Sequence, residues 1–132
     1  MGICNESTTL NGNKAKTSNK EDISEGYAFT SGLYFEDKKF KDGFDKIIEQ
    51  TKYFRFGGDC YMYGMLASGL IDIVVEDTLK NHDYMALLPV IEGAGGIVSD
   101  RFGKKINLKS DGSFVATCSQ SIHKQVIEIL NP

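Results

Sequence analysis

The sequence predicts a layered α/β fold made as one domain of residues 1–132, and three observations carry that expectation. Strand-like runs alternate with segments of helical period along most of the chain, which is the pattern of a sheet covered by helices. A hydrophobic content of 41% beside 25% charged residues supplies the apolar material of an ordinary core. A chain of 132 residues falls in the range of a single domain and buries roughly two-thirds of the surface its unfolded form exposes.

The elements follow in order. Thr8-Thr9-Leu10 reads as a short strand, Asn11-Gly12 as a tight turn and Asn13 to Thr17 as the returning strand, because Asn-Gly tolerates the positive φ of a two-residue hairpin loop. An opening strand needs a backbone neighbour, and little chain precedes this one, which points to a missing partner upstream. Ser18 to Glu25 is polar and reads as a loop. Tyr27-Ala28-Phe29-Thr30 has strand character and Ser31-Gly32 ends it. Phe40, Phe44, Ile47 and Ile48 recur at helical spacing between Glu36 and Gln50, although Gly43 costs that helix about 1 kcal/mol relative to alanine.

Tyr53 to Phe56 is a further short strand, broken by Gly57-Gly58. Asp59 is suited to cap a helix reaching Ser68, which is apolar nearly all round and therefore expected to be buried, with Gly69 closing it. Ile71 to Val75 is a hydrophobic strand that ends at Glu76. A helix from Asp83 to Gly93 carries Leu87, Val90, Ile91 and Ala94 along one face, with a kink expected at Pro89. Ile97 to Ser99 and Phe114 to Thr117 read as strands with a turn at Gly103 between them. A last amphipathic helix carries Ile122, Val126, Ile127 and Leu130.

Charge and cysteine usage exclude several classes. The formal net charge is -3 and the pI about 5.3, without a basic face for duplex nucleic acid. Lys14, Lys16 and Lys20 read as a solvated loop or hairpin. No apolar run approaches the roughly 18 residues of a membrane span, and Met1 to Asn13 lacks the layout of a secretory signal. The three cysteines, Cys4, Cys60 and Cys118, are odd in number and widely spaced. They indicate neither a disulfide framework nor a zinc site and suit a reducing, cytoplasmic setting. Cys60 and Cys118 read as core packing, and His82 and His123 as surface residues.

Polar groups stand at the ends of three buried elements. Gly57-Gly58-Asp59 opens a helix, where free N–H groups favour oxygen-rich ligands. Glu76 ends a buried strand, and Asp83 begins the next helix, where the dipole favours negative charge. Open α/β folds build sites at such ends. The same residues also admit plain readings: Asp59 and Asp83 as helix caps, Glu76 as a solvated strand end. Gly93-Ala94-Gly95-Gly96 follows a helix and precedes a strand, the reverse of a phosphate loop, and reads as a tight connection.

In order, Gly57-Gly58-Asp59-Cys60-Tyr61, Gly69-x-x-Asp72, Glu76, Asp83 and Glu92-Gly93-Ala94-Gly95-Gly96 resemble the inositol monophosphatase family. The similarity covers nearly the whole chain, is strongest from Arg55 to Gly103, and extends to a hairpin tip at Leu10-Asn11-Gly12. Arg55-Phe56-Gly57-Gly58-Asp59-Cys60-Tyr61 resembles the histidinol-phosphate phosphatase branch more closely than the inositol branch. His82 departs from the Trp that many members carry before the metal-binding Asp.

The resemblance implies a layered sheet-and-helix fold, the carboxy-terminal half of a sugar-phosphatase-like αβαβα architecture. It implies Mg²⁺-dependent hydrolysis of a small phosphorylated metabolite, with Asp83 as a metal ligand near the attacking water. Glu76 would contact the non-phosphate part of the substrate, and Gly57, Gly58 and Asp59 would line the same pocket. Asp59 and Glu76 suit a cationic substrate such as histidinol phosphate, since carboxylates pair with an amine and an imidazolium. Inositol monophosphate is the alternative substrate, and a non-catalytic binding module of the same fold is the alternative from another class.

The family's other metal carboxylates sit in a Glu-Glu segment and an Asp-Pro-x-Asp-Gly-Thr segment, and neither occurs here. Mg²⁺ takes about six oxygens, so Asp83 alone builds no catalytic metal site. The expectation is a half-domain inactive by itself, whose metal-binding part lies upstream, with a homodimer possible for the complete enzyme.

Overall fold

A computed structural model describes the whole chain, Met1–Pro132. Two strands, β1 (Thr9–Leu10) and β2 (Asn13–Lys14), form the expected hairpin. Asn11 and Gly12 at its tip have φ of 51° and 79°, both in the left-handed region. The opening strand is not short of partners, contrary to the sequence expectation. The Thr8 N–H donates to the Gly93 carbonyl at 3.0 Å and the Thr9 N–H to the Met1 carbonyl at 2.9 Å, while the Thr8 hydroxyl donates to the Val90 carbonyl at 2.7 Å.

The main sheet has five strands in the order β4-β3-β5-β7-β6. These are β3 (Tyr27–Thr30), β4 (Tyr53–Phe56), β5 (Ile73–Glu76), β6 (Ile97–Ser99) and β7 (Phe114–Thr117). β3 runs parallel to both β4 and β5, whereas β7 pairs antiparallel with β5 and β6. Strand alternation then sorts the core. Ile73, Val75 and Val115 face one side with α1 (Lys38–Gln50) and α5 (Gln120–Leu130), through Phe40, Phe44, Ile47, Ile122 and Val126. Val74, Phe114 and Ala116 face the other with α2 (Tyr61–Ala67) and α4 (Leu88–Gly93), through Met62, Leu66 and Ile91. The layered α/β expectation holds.

Local chemistry sets the element ends. Asp37 caps α1, its carboxylate accepting from the Phe40 N–H at 3.0 Å. Gly43 stands where α1 meets α5; a Cβ there would lie 3.1 Å from the Leu130 side chain, so the glycine that weakens the helix also permits the close approach. Ser119 caps α5 by accepting from the Ile122 N–H.

Several sequence expectations are corrected. The helix expected from Asp83 to Gly93 is two short pieces, α3 (Asn81–Tyr84) and α4. Pro89 has no N–H to give and its ring would meet the Met85 carbonyl in a continuous helix, so the chain restarts with Pro89 in the first turn of α4. α2 is not buried all round: Met62, Tyr63, Leu66 and Ala67 face the core while Tyr61 is 74% exposed. Cys60, expected in the core, is exposed, and Cys118 is buried as expected. His123, expected at the surface, is 5% exposed. No helix is long and apolar enough to cross a membrane.

Candidate acidic site at the carboxyl ends of the parallel strands

β3, β4 and β5 run parallel, so their carboxyl ends open on one side of the sheet. A cleft of about 540 Å³ lies there, where open α/β sheets place their ligands. Asp59, Glu76 and Asp83, the three carboxylates singled out in the sequence, all line it, together with Asp77. Gly57 and Gly58 do not. Both have positive φ, 93° and 116°, and carry the chain from β4 round to Asp59. Asp59 itself has φ 43° and caps nothing with its side chain, because the capping position of α2 falls on Cys60.

Glu76 is no solvated strand end. It is 4% exposed, and the alternation that puts Val75 under α1 and α5 turns Glu76 toward α2. One carboxyl oxygen, Oε1, accepts from the Ser31 N–H at 3.2 Å and from the Ser31 hydroxyl; the other, Oε2, accepts from the Tyr63 hydroxyl. Burial pushes its pKa up from 4.5 to about 7; the Ser31 N–H opposes the rise, and the charges of Asp59 and Asp83 add to it. A carboxyl with this pKa accepts or donates a hydrogen bond near neutrality.

Asp83 lies in the first turn of α3. Its Oδ2 accepts from the Lys80 N–H at 2.7 Å, closing the turn, so the cap reading is correct as far as that oxygen goes. Oδ1 receives no backbone bond and lies 3.5 Å from His82 Nε2. The side chain is 43% exposed, and it shares the cleft with Glu76 and Asp59 rather than turning away from them.

Oxygen donors of this kind are what Mg²⁺ prefers, and Asp83 Oδ1 is open to it. No group of three or more His, Cys, Asp or Glu side chains converges in a way that could hold a metal ion. The residues therefore fit one corner of a magnesium site and not the whole of it.

Sequence reasoning missed four contributors. Ser31 read only as the end of a strand and Tyr63 only as core. Asp77 binds the Thr78 N–H at 2.8 Å through Oδ1 and the Glu36 N–H at 3.0 Å through Oδ2, tying the start of α1 to the loop after β5. Thr78, with φ 63°, is a β-branched residue in the left-handed region, a strained conformation of the sort held at functional sites. Adjacency of Asp77 to Glu76 was the one available signal for any of them.

Comparison with known proteins gives a consistent picture. The inositol monophosphatase family pattern matches residues 2–132. The chain is 34% identical over 137 aligned residues to the chloroplastic bifunctional phosphatase IMPL2 of Arabidopsis thaliana, covering 98% of this chain and 40% of that protein. It is 29% identical over 84 residues to a histidinol-phosphatase of Chlorobaculum parvum, covering 64% of this chain and 32% of that protein. Among solved structures, an inositol monophosphatase from Zymomonas mobilis superposes with a TM-score of 0.94 at 31% identity, covering 99% of this chain and 52% of that one. The chain thus spans about half the length of that structure and less of the two curated relatives.

Proposed function

The chain belongs to the inositol monophosphatase family, and we propose that it forms the carboxy-terminal half-domain of a metal-dependent phosphomonoesterase whose metal-binding half lies upstream. The observation that carries this reading is the meeting of Asp59, Glu76 and Asp83 in one cleft at the ends of the parallel strands. Asp83 contributes Oδ1 to a Mg²⁺ site completed by groups outside these residues. The cation, when bound, supplies an activated water and neutralises charge on the phosphoryl group. Glu76 and Asp59 take the alcohol part of the substrate, and Gly57 and Gly58 shape the turn that presents Asp59.

Histidinol phosphate is the substrate the acidic lining favours, since carboxylates in a half-enclosed cleft bind an ammonium or imidazolium group well. Inositol monophosphate is the second reading, and the 31% identity to the Zymomonas mobilis enzyme over 99% of the chain speaks for it. The partners are small phosphorylated metabolites, with a homodimer proposed for the complete enzyme. Three unpaired cysteines suit the cytoplasm.

Joining the chain to the upstream half and measuring phosphate release with and without Mg²⁺ tests the proposal. Release from histidinol phosphate or inositol monophosphate is expected. Asp83→Asn is expected to lower kcat/KM at least about 100-fold, because even groups outside a ligand set cost roughly 10- to 100-fold. No release from either ester would leave the non-catalytic binding module as the correct description.

A further inference from the structure

Two hydroxyls that the sequence reading left out of the site hold the Glu76 carboxyl from opposite sides. An ionised carboxylate offers about four acceptor positions, two on each oxygen. The N–H and hydroxyl of Ser31 occupy Oε1. The Tyr63 hydroxyl takes one position on Oε2. A single acceptor position is left, on Oε2, in a side chain that lines the cleft.

The supports of this grip are themselves fixed. Tyr63 is 2% exposed, and its ring meets Phe114 edge-on with centroids 5.4 Å apart and planes at 89°, so its hydroxyl cannot wander. Ser31 follows β3 directly, in a turn closed by the Thr30 hydroxyl donating to the Gly32 carbonyl at 3.0 Å. Glu76 is the last residue of β5, the strand next to β3 in the sheet. Three separate elements converge on one carboxyl. A phenylalanine would fill the same space beside Phe114; what the tyrosine adds is the hydroxyl bound to Glu76.

We propose that Ser31 and Tyr63 are positioning residues that aim Glu76 so that Oε2 accepts one hydrogen bond from a hydroxyl or ammonium group on the alcohol part of the substrate. This deepens the phosphomonoesterase reading and rests on it. The ordering of a flexible glutamate is done before the substrate arrives, so the contact loses little to rotamer entropy on binding. It also narrows selectivity: an ester with a donor in reach of Oε2 satisfies the last position, whereas one without leaves a desolvated acceptor unpaired.

The test is a mutant cycle in the complete enzyme, comparing a donor-bearing ester (histidinol phosphate or inositol monophosphate) with phenyl phosphate, which has no donor on its alcohol part. Tyr63→Phe keeps the ring and removes the hydroxyl. It is expected to raise KM for the donor-bearing ester about tenfold with kcat within about twofold, the signature of lost uniform binding. Phenyl phosphate should show no such rise, and Tyr63→Phe should add nothing in a Glu76→Gln background. Ser31→Thr should retain the binding that Ser31→Ala loses.

Equal KM changes for both esters, or full additivity with Glu76→Gln, would make Tyr63 a mere core residue and overturn the proposal. A second readout needs no turnover: in the 132-residue chain, the carbon-13 carboxyl signal of Glu76 should move in Tyr63→Phe. An unmoved signal overturns the grip whatever the kinetics show. If the complete wild-type enzyme hydrolyses neither ester while the signal does move, the phosphatase reading has failed and the grip has not.

Discussion

His123 should make this chain lose stability on mild acidification, by an amount the geometry lets one work out. The imidazole lies on α5 beneath the sheet, Nε2 2.8 Å from the Ser99 hydroxyl and Nδ1 3.0 Å from that of Thr117. Ser99 already donates its hydrogen to the Asp100 carbonyl at 2.7 Å, so Nε2 carries the ring hydrogen; Nδ1 is then the acceptor facing Thr117, whose one hydrogen is shared between it and the Ser119 carbonyl at 3.2 Å. Neither nitrogen meets a carboxylate, and burial pushes the pKa down from 6.5 to about 4. Between those values the unfolded chain takes up a proton that the folded one refuses. The stabilising share is therefore whole above the unfolded pKa and drains away as pH falls toward the folded one.

At about pH 5 the loss comes to about 2 kcal/mol, and at about pH 7.5 to nearly nothing. Urea denaturation of wild type and His123→Gln at the two pH values measures it. The glutamine amide can replace Nε2 as donor but leaves the contact between Nδ1 and Thr117 unmade, so the variant should be about 1–2 kcal/mol less stable at the higher pH. At the lower pH that gap should close by about 2 kcal/mol, because only wild type carries the penalty. A gap that stays constant across the two pH values would show that His123 titrates alike in both states and would refute the reasoning.

Glu76 works in the opposite sense. Its folded pKa of about 7 lies above the unfolded 4.5, so its contribution is present at low pH and lost as pH rises through about 7. Glu76→Gln should gain roughly 2 kcal/mol on wild type between about pH 5 and 8 in the same denaturation assay, and no relative gain would contradict the burial argument. At the hairpin, a Cβ on Gly93 would stand 2.5 Å from the Glu6 carbonyl oxygen and 2.6 Å from the Thr8 hydroxyl. Gly93→Ala should cost about 1–3 kcal/mol by overpacking and should speed hydrogen exchange at the Thr8 and Thr17 N–H groups; unchanged protection there would count against the clasp between hairpin and α4.

The fold was legible where one local rule decided the outcome. Short apolar runs bounded by turn residues marked β3, β5 and β7, whose side chains pack into the cores on both faces of the sheet, and the period of Phe40, Phe44 and Ile47 placed α1 to within two residues of the expected start, because that helix buries one face. Errors came where residue type and position disagreed. His123 follows Ile122 and lies three before Val126, inside the buried stripe of α5; its place was readable from the period, but its type argued for the surface. Cys60 failed the other way, a residue usually buried standing on the exposed turn before α2.

The site divides along the same line. Asp59, Glu76 and Asp83 could be picked out because each ends or begins an element, a fact written in the local sequence. Ser31 and Tyr63 could not, since their meaning lies in a partner 45 and 13 residues away, and only the pairing of β3 with β5 and the seating of α2 on the sheet bring them together. Glu76 lies where these two kinds of information meet. Its pattern position says that a charge ends a buried strand, which taken alone admits solvent. The packed structure removes the solvent, supplies hydroxyls and an N–H in its place, and leaves one acceptor position unused. Glu76 also lines the cleft, so the open position on Oε2 is where the proposed substrate contact would be made and where a change in substrate choice should be sought.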